Sequence, residues 1–279
     1  MTKVIHKLKS ESAEFVKTFN TLMTSRAAWE VWADFVSLAA ISISNAVDKC
    51  HSENREKEYI RIQSKYTKDE MVIISKLLAI TVMALENNPW QDFLGELYMS
   101  LDLGNHWKGQ FFTPYSITKM MAKLTFGNLE QQISEKGYVS VNDCACGAGA
   151  TLIAAAEEAH IQLEEAKLNW QNHVLFLAQD IDAVTAKMCY IQLSLLGCAG
   201  AVKIGNSFTE PMCLGESDEN YWYTPMWFSE IWYYRRLWRQ MDMMCNSVQK
   251  NVSDTIDMKR GLYYYYYYDV EAANETDII

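Results

Sequence analysis

Apolar residues recur at intervals of three and four through the first 105 positions of the chain. This spacing predicts amphipathic helices, because side chains three and four positions apart lie on one helix face. The predicted helices cover Glu14–Met23, Trp29–Asp48, Asp69–Leu85 and Trp90–Leu101. The charged stretch Cys50–Lys57 is predicted to be a loop or an exposed helix turn. Residues 1–105 are therefore predicted to form a helical N-terminal domain.

Beyond residue 105, short apolar strands alternate with helices. The pattern predicts strands over Tyr138–Asn142, His173–Ala178 and Ala201–Ile204, and helices over Ile117–Phe126, Thr151–Ala166 and Val184–Leu196. Strands that alternate with helices of this length indicate βαβ units and a parallel sheet. Residues 106–279 are therefore predicted to form an α/β domain, which includes an aromatic and basic helix over residues 226–248.

Three strands make a small sheet with an open edge. A polar loop, Gly215–Asn220, follows the third strand, and Gly261, Leu262 and the tyrosine run Tyr263–Tyr268 have the composition of one further strand. We expect the N-terminal domain, the aromatic helix or a partner chain to cover the open edge.

Composition narrows the classes of function. The net charge of −10 does not attract nucleic acid by itself, so a contact with DNA requires a local basic patch or a partner chain. The seven cysteines lack the spacing of a zinc site, and we expect no metal and a reduced, cytoplasmic protein. The start of the chain is polar, and the apolar run Ile73–Leu85 is too short to span a bilayer, so no membrane association is expected.

The stretch Val139–Ala156 carries the clearest chemical signal. A short strand ends at Asp143, a turn contains Gly147 and Gly149, and an apolar helix follows. Glycines let a ligand approach the backbone, and a helix start offers free N–H groups, so this arrangement suits a nucleotide. In parallel sheets ligands bind at the carboxyl ends of the strands, which adds Asp180 and Asn206 to the predicted crevice.

Four motifs in series resemble those of one enzyme family. They are GQFFTP (Gly109–Pro114), DCACGAG (Asp143–Gly149), AQDID (Ala178–Asp182) and IGNS (Ile204–Ser207). Their order and spacing over residues 70–208 resemble adenine-N6 DNA methyltransferases, and most of all the modification subunit of type I restriction systems. The resemblance implies an S-adenosylmethionine-dependent, Rossmann-like methyltransferase fold, here incomplete, and S-adenosylmethionine as the cofactor.

The resemblance also implies roles for the motif residues. The cofactor's methionine end would be lined by Phe112, Thr113 and Pro114, and its amino-acid portion would be held by Asp143, Ala145 and Gly147, with Gly149 in the same turn. Asp180 would bridge the ribose hydroxyls, and Ile181 would pack on the adenine. Asn206 would meet the adenine amino group, with Phe208 against the ring.

The chain departs from the family pattern at several positions. Cys144 and Ala148 replace the usual proline and serine of the glycine turn, and Asn206 stands where aspartate is usual. The family's catalytic signature, Asn or Asp followed by two prolines and an aromatic residue, does not occur. The nearest sequences are Thr209–Met212 and Trp222–Trp227. Tyr223, Thr224 and Pro225 in the second of them are the catalytic candidates by residue, and the catalytic residues stay open.

One basic patch is interleaved with aromatic residues. Arg235, Arg236 and Arg239 alternate with tyrosines and tryptophans in the predicted C-terminal helix. Such a patch suits contact with nucleic acid or a partner, through stacking on bases and pairing with phosphates. The alternative, which acidic neighbours favour, is an amphipathic helix with a solvated arginine face.

Three functions follow from the resemblance. The leading hypothesis is an S-adenosylmethionine-binding protein that methylates adenine N6 in DNA, with target choice supplied by a separate specificity or partner chain. The alternative is a degenerate, non-catalytic homologue that acts as a binding or regulatory module in restriction-modification or mobile-element biology. A different reaction on the same cofactor has no positive support. The missing catalytic signature favours the non-catalytic alternative. An oligomer is possible under both the leading hypothesis and this alternative.

Overall fold

The computed structural model describes residues 10–23, 26–103, 112–213, 219–239 and 241. By packing, the chain divides into two compact units, Met1–Ser229 and Glu230–Ile279. The predicted division of the chain at residue 105 remains a prediction about domain organisation. Within the first unit, the buried apolar residues of the helices and of the sheet form a continuous core.

The described residues up to 103 form a helical part with α1 (Ser10–Asn20), α2 (Ala28–Val47), α3 (Ser52–Gln63), α4 (Lys68–Asn87) and α5 (Phe93–Ser100). The four helices predicted from periodicity are confirmed, with small shifts at their ends. The prediction for Cys50–Lys57 was too short, because this stretch opens the twelve-residue helix α3. The sequence of α3 is highly charged and only Arg55 and Ile62 are buried, so it carries little apolar periodicity.

Aromatic rings fill the centre of the helical part. Phe15 lies 5.5 Å from Phe35 and 6.0 Å from Phe93, measured between ring centroids. Trp32 continues this cluster toward Tyr98, at 6.0 Å. Helix α2 is long and apolar enough to cross a membrane by length and composition, but much of it is buried inside the protein. Edge-to-face ring contacts of this kind stabilise a packed core, which is the role of α2 here.

The second part contains helices α6 (Tyr115–Thr125), α7 (Leu129–Lys136), α8 (Ala150–Glu165) and α9 (Ala183–Leu195), and strands β1 (Val139–Asp143), β2 (Val174–Asp180), β3 (Ala199–Ile204) and β4 (Tyr221–Tyr223). The strand order is β1-β2-β3-β4. Strands β1, β2 and β3 are parallel, and β4 is antiparallel to β3. The predicted α/β class and the three predicted strands are confirmed, but the sheet is mixed because of the short strand β4.

The two edges of the sheet differ. Strands β2 and β3 are buried over most of their length, whereas β1 alternates between buried or half-buried residues and the exposed Ser140 and Asn142. Among the described strands, β1 pairs only with β2. The alternation in its sequence fits a strand with one exposed face. The predicted strand from Gly261 to Tyr268 lies outside the described residues.

Helix α3 contacts the outer edge of β4 through Arg55. Arg55 in α3 donates hydrogen bonds to the carbonyl oxygen of Tyr221 at 2.6 Å and to Asp48 Oδ2 at 2.9 Å. Its guanidinium lies 4.1 Å from the centroid of the Trp222 ring. Arg55 and Asp48 are both buried, so removal of either would leave an uncompensated buried charge. One N-terminal helix thus contacts the sheet at β4, and what covers the edge at β1 stays a prediction.

A buried glutamine joins three elements. Gln192 in α9 donates through Nε2 to Asp92 Oδ1 and to the carbonyl oxygen of Ala148, each at 2.8 Å. Its Oε1 accepts from the backbone N–H of Leu94 at 3.0 Å. Asp92 also caps helix α5 by accepting from the N–H of Gly95. These bonds attach the start of α5 to α9 and to the turn before α8.

Burial raises the pKa of Asp92 from 3.8 to about 6, and the negative charge of Glu96 adds a smaller increase. The hydrogen bonds from Gln192 and Gly95 lower the pKa and offset part of this rise. The folded protein therefore holds a proton on Asp92 more tightly than the unfolded chain does. The stability that this proton provides is present below about pH 4 and is lost as the pH rises through 6.

We expect Asp92→Asn to remove this pH dependence, because the amide keeps the Oδ1 acceptor and carries no charge. From pH 4 to pH 7, wild type should lose up to about 3 kcal/mol of unfolding free energy relative to the variant, at about 1.4 kcal/mol per pKa unit. Urea unfolding at both pH values measures the difference. Parallel pH profiles for the two proteins would contradict the assignment.

Candidate functional site

The candidate site lies at the carboxyl ends of the three parallel strands. Strand β1 ends at Asp143, β2 ends at Asp180, and β3 is followed by Gly205 and Asn206. Backbone hydrogen bonds connect these ends. The N–H of Cys146 donates to the carbonyl oxygen of Gln179 at 3.0 Å, and the N–H of Gly205 donates to that of Asp180 at 2.9 Å. The predicted convergence of the three strand ends is thus present in the structure.

The turn after β1 requires its two glycines. Gly147 has φ of 52° and Gly149 has φ of 98°, which is left-handed backbone that favours glycine. A Cβ on Gly149 would also lie 2.8 Å from the Sγ of Cys189, which is too close for two such atoms. Gly149 directly precedes α8, so the turn presents the free N–H groups of that helix start.

Asp180 connects the glycine turn to the segment after β2. Its Oδ2 accepts from the N–H of Gly147 at 2.8 Å, and its Oδ1 accepts from the N–H of Asp182 at 2.9 Å. A carboxylate has about four acceptor positions, so two remain for a ligand. Asp182 caps α9 by accepting from the N–H groups of Val184 and Thr185.

Asp143 and the residues after it line the other side of the turn. Asp143 Oδ1 accepts from the N–H of Ala145 at 3.1 Å. The hydroxyl of Ser207 donates to the carbonyl oxygen of Cys144, which connects the loop after β3 to the turn after β1. Asp143 is half-buried and Ala145 is exposed, so both are accessible from the crevice.

An aromatic ring from the segment before α6 lies against the glycine turn. Ring atoms of Phe112 are 3.1 Å from the position that a Cβ of Gly147 would occupy. On its other side, the Phe112 ring packs on Tyr98 with the centroids 5.5 Å apart. Thr113 and Pro114 are exposed and lead into α6. The Gly109–Phe111 part of the first motif lies outside the described residues.

Two apolar side chains stand exposed at the rim of the crevice. Ile181 is 72% exposed and Phe208 is 98% exposed. Ile181 directly follows Asp180, and Phe208 lies two residues after Asn206, in the loops after β2 and β3. Exposed apolar groups beside a crevice gain free energy when a flat ring covers them, at about 25 cal/mol per Å² of buried apolar surface.

The orientation of the Asn206 amide follows from its partner. Its Oδ1 accepts from the N–H of Phe208 at 2.9 Å. A backbone N–H can only donate, so the amide oxygen must face Phe208 and the Nδ2 group is left for a ligand. Asn206 therefore presents a donor where an aspartate would present a second acceptor.

The loop after β3 is held at its far end. Gln179 is buried, and its Nε2 donates to the carbonyl oxygen of Glu210 at 2.8 Å. Its Oε1 accepts from the N–H of Met212 at 3.0 Å. The segment containing Asn206 and Phe208 is therefore anchored on both sides.

The three catalytic candidates do not join this crevice. Tyr223 pairs with Ala201, and Thr224 is buried, accepting from the N–H of Gly200 at 2.9 Å and donating to the carbonyl oxygen of Cys198 at 2.7 Å. These positions are near the amino end of β3, about 10–13 Å along the strand from Ile204 at about 3.3 Å per residue. Tyr223, Thr224 and Pro225 instead end strand β4 and begin a 3₁₀ turn over Pro225–Phe228.

The basic patch lies in the second unit. Residues 230–239 are helical, so the predicted helix starts four residues later than expected and its part from 242 to 248 lies outside the described residues. Arg235 and Arg236 are half-buried and Arg239 is exposed. The guanidinium of Arg235 lies 5.5 Å from the centroid of the Trp232 ring. Contact of these arginines with nucleic acid or a partner remains a prediction.

Two residues at the site were missed by sequence reasoning. Gln192 supports the glycine turn from α9, and Tyr98 supports Phe112 from α5. Both lie in helical patterns typical of a core, so no local signal marked them. In the described part of the chain, no group of three or more His, Cys, Asp or Glu residues is placed to hold a metal ion.

Comparison with known proteins gives a family match. The N-6 DNA methylase family model matches residues 92–255, more than half of the chain. A solved structure from Listeria monocytogenes, assigned to the class I S-adenosylmethionine-dependent methyltransferases, is similar with 14% sequence identity and a TM-score of 0.38. The similarity covers 73% of this chain and 55% of that one, so this chain spans about half of its length. No curated protein matches the chain.

The family match includes every residue predicted to bind the cofactor, from Phe112 to Phe208. It confirms the resemblance and the methyltransferase-like fold class predicted from the four motifs. This chain belongs to the N-6 DNA methylase family.

Proposed function

We propose that this chain binds S-adenosylmethionine at the carboxyl ends of β1, β2 and β3 and serves the methylation of adenine N6 in DNA. The observation that carries the proposal is the joining of Asp180 to Gly147 by a 2.8 Å hydrogen bond. This bond holds an acidic side chain beside a glycine turn, which is the arrangement that binds the ribose of a nucleoside.

The residues of the crevice fit the parts of this cofactor. The two remaining acceptor positions of Asp180 suit the ribose hydroxyls. The turn Asp143–Gly147 and the Phe112 ring suit the amino-acid portion, and Thr113 and Pro114 lie beside it. The exposed side chains of Ile181 and Phe208 suit the two faces of an adenine ring. When bound, S-adenosylmethionine supplies a methyl group on a positively charged sulfur, and these residues bind and orient it.

DNA is the proposed substrate, and the family supports it. The chain carries a net charge of −10, so we propose that a separate specificity or partner chain brings most of the phosphate contacts and selects the target. Arg235, Arg236 and Arg239 are the proposed local contact of this chain. A cytoplasmic restriction-modification or mobile-element system, with or without oligomerisation, is the proposed setting.

A non-catalytic binding or regulatory role is the second candidate. It is favoured by the position of Tyr223, Thr224 and Pro225 at the far end of β3 and by the absence of an Asn/Asp-Pro-Pro-aromatic sequence from the chain. Base flipping enzymes need groups that grip the extruded base. None of the residues described around this crevice belongs to such a motif.

Asp180→Asn should weaken the binding of S-adenosylmethionine by about 10- to 100-fold, since a hydrogen bond to a charged group contributes about 1.5–3 kcal/mol. Equilibrium dialysis with labelled cofactor measures the change. Asp69→Asn, an equivalent change at an exposed position of α4, is the control and should bind as wild type does. Unchanged affinity in Asp180→Asn, or no binding by wild type at millimolar cofactor, would refute the proposal.

Asn206→Asp should increase the preference of the site for adenine over hypoxanthine. The carboxylate would accept from Phe208 and from the adenine amino group, whereas the wild-type amide can also donate to the oxygen of hypoxanthine. Competition by S-adenosylhomocysteine and its inosine counterpart measures the selectivity. We expect an adenine preference about 10-fold greater in the variant, from one charge-assisted hydrogen bond. An equal ratio in both proteins would show that residue 206 does not read the base.

Methyl transfer separates the two candidate functions. The leading proposal predicts that the purified 279-residue chain binds the cofactor and transfers labelled methyl groups to adenine N6 in unmethylated DNA above the level of Asp180→Asn. The non-catalytic alternative predicts binding without transfer, so methylation by the purified chain would reject it, and binding without methylation would favour it.

A further inference from the structure

Tyr98 is a buried tyrosine whose hydroxyl has no hydrogen-bond partner among the residues that the structure describes. The side chain is 7% exposed, and its ring lies between Trp32 at 6.0 Å and Phe112 at 5.5 Å. The tyrosines Tyr66 and Tyr115, by contrast, donate their hydroxyls to Asp34 and Glu157. Within the described part of the chain, the Tyr98 hydroxyl makes no such bond, and it is not among the sealed polar atoms. A buried ring with an unused, accessible hydroxyl suits a ligand contact.

The neighbours of Tyr98 place it beside the cofactor crevice. Phe112, which packs on Tyr98, also lies against Gly147 in the turn after β1. Burial, and secondly the carboxylate of Asp182, raise the pKa of Tyr98. The hydroxyl therefore stays protonated and acts as a donor at neutral pH.

The loops of the crevice offer no basic side chain to a carboxylate of a ligand. These three loops, residues 143–149, 180–182 and 205–208, contain Asp143, Asp180 and Asp182 but no lysine or arginine. The amino-acid portion of S-adenosylmethionine carries an ammonium and a carboxylate. The acidic side chains suit the ammonium, whereas the carboxylate requires N–H or O–H donors.

We propose that the Tyr98 hydroxyl donates a hydrogen bond to the carboxylate of the cofactor's amino-acid portion. Helix α5 thus contributes a binding residue to the crevice that the sheet and its loops otherwise form. The contact rests on the proposed function, since it requires S-adenosylmethionine to bind here. It makes the helical segment part of the cofactor site rather than only its support.

The test compares two ligands and two variants. Tyr98→Phe removes the hydroxyl and keeps the ring against Phe112. Its affinity for S-adenosylmethionine should fall about 10-fold or more, as for a hydrogen bond to a charged group. Its affinity for decarboxylated S-adenosylmethionine, which lacks the carboxylate, should equal that of wild type. Tyr66→Phe, a matched change in the helical part, should leave both affinities unchanged.

The outcomes distinguish the contact from a structural role. The melting temperature of Tyr98→Phe should be unchanged or higher, because no protein hydrogen bond is lost. Equal weakening of both ligands would show that Tyr98 acts only through packing, and unchanged affinity for both would show that it does not contact the cofactor. Either result would overturn the inference while the proposed function stands. Failure of wild type to bind either ligand would reject the proposed function and this contact together.

Discussion

The site depends on the carboxylate of Asp180, which binds two backbone N–H groups from different segments. One belongs to Gly147 in the turn after β1, and the other to Asp182 at the start of α9. The backbone carbonyl of the same residue accepts from Gly205 after β3. Asp180 therefore connects the ends of three strands. The two bonds to its carboxylate are charge-assisted, and such bonds are about twice as strong as neutral ones.

The helical part and the sheet are joined by buried polar contacts as well as by apolar packing. Gln192 uses both of its donor hydrogens and its oxygen to connect α5, α9 and the glycine turn. Arg55 closes the outer edge of β4 and packs on Trp222. Buried polar groups are costly unless they are fully bonded, so these contacts favour one arrangement of helices and sheet. The geometry of the crevice therefore depends on residues outside the family motifs.

Local patterns predicted most of the fold and the strand ends that meet at the crevice, and the family resemblance added Phe112, Ile181 and Phe208. Helices with a broad apolar face and strands between glycine turns were found because burial imposes a period on the sequence. Helix α7 was missed because only Leu129 and Ile133 are buried, although Asn128 caps it and Gly137 ends it. Strand β4 has three residues, too few to show a period. Tyr98 and Gln192 were missed because their roles come from contacts distant in sequence, and the orientation of Asn206 depends on a bond that only the fold shows.

The chain thus combines a crevice that we propose binds S-adenosylmethionine with no recognisable group for base chemistry among the residues described beside it. Hydrogen–deuterium exchange with and without millimolar S-adenosylmethionine tests this account most directly. The account predicts slower exchange in peptides covering residues 143–149, 180–182 and 205–208, and no change over 221–225. Unchanged exchange throughout, or protection confined to residues 221–225, would contradict it.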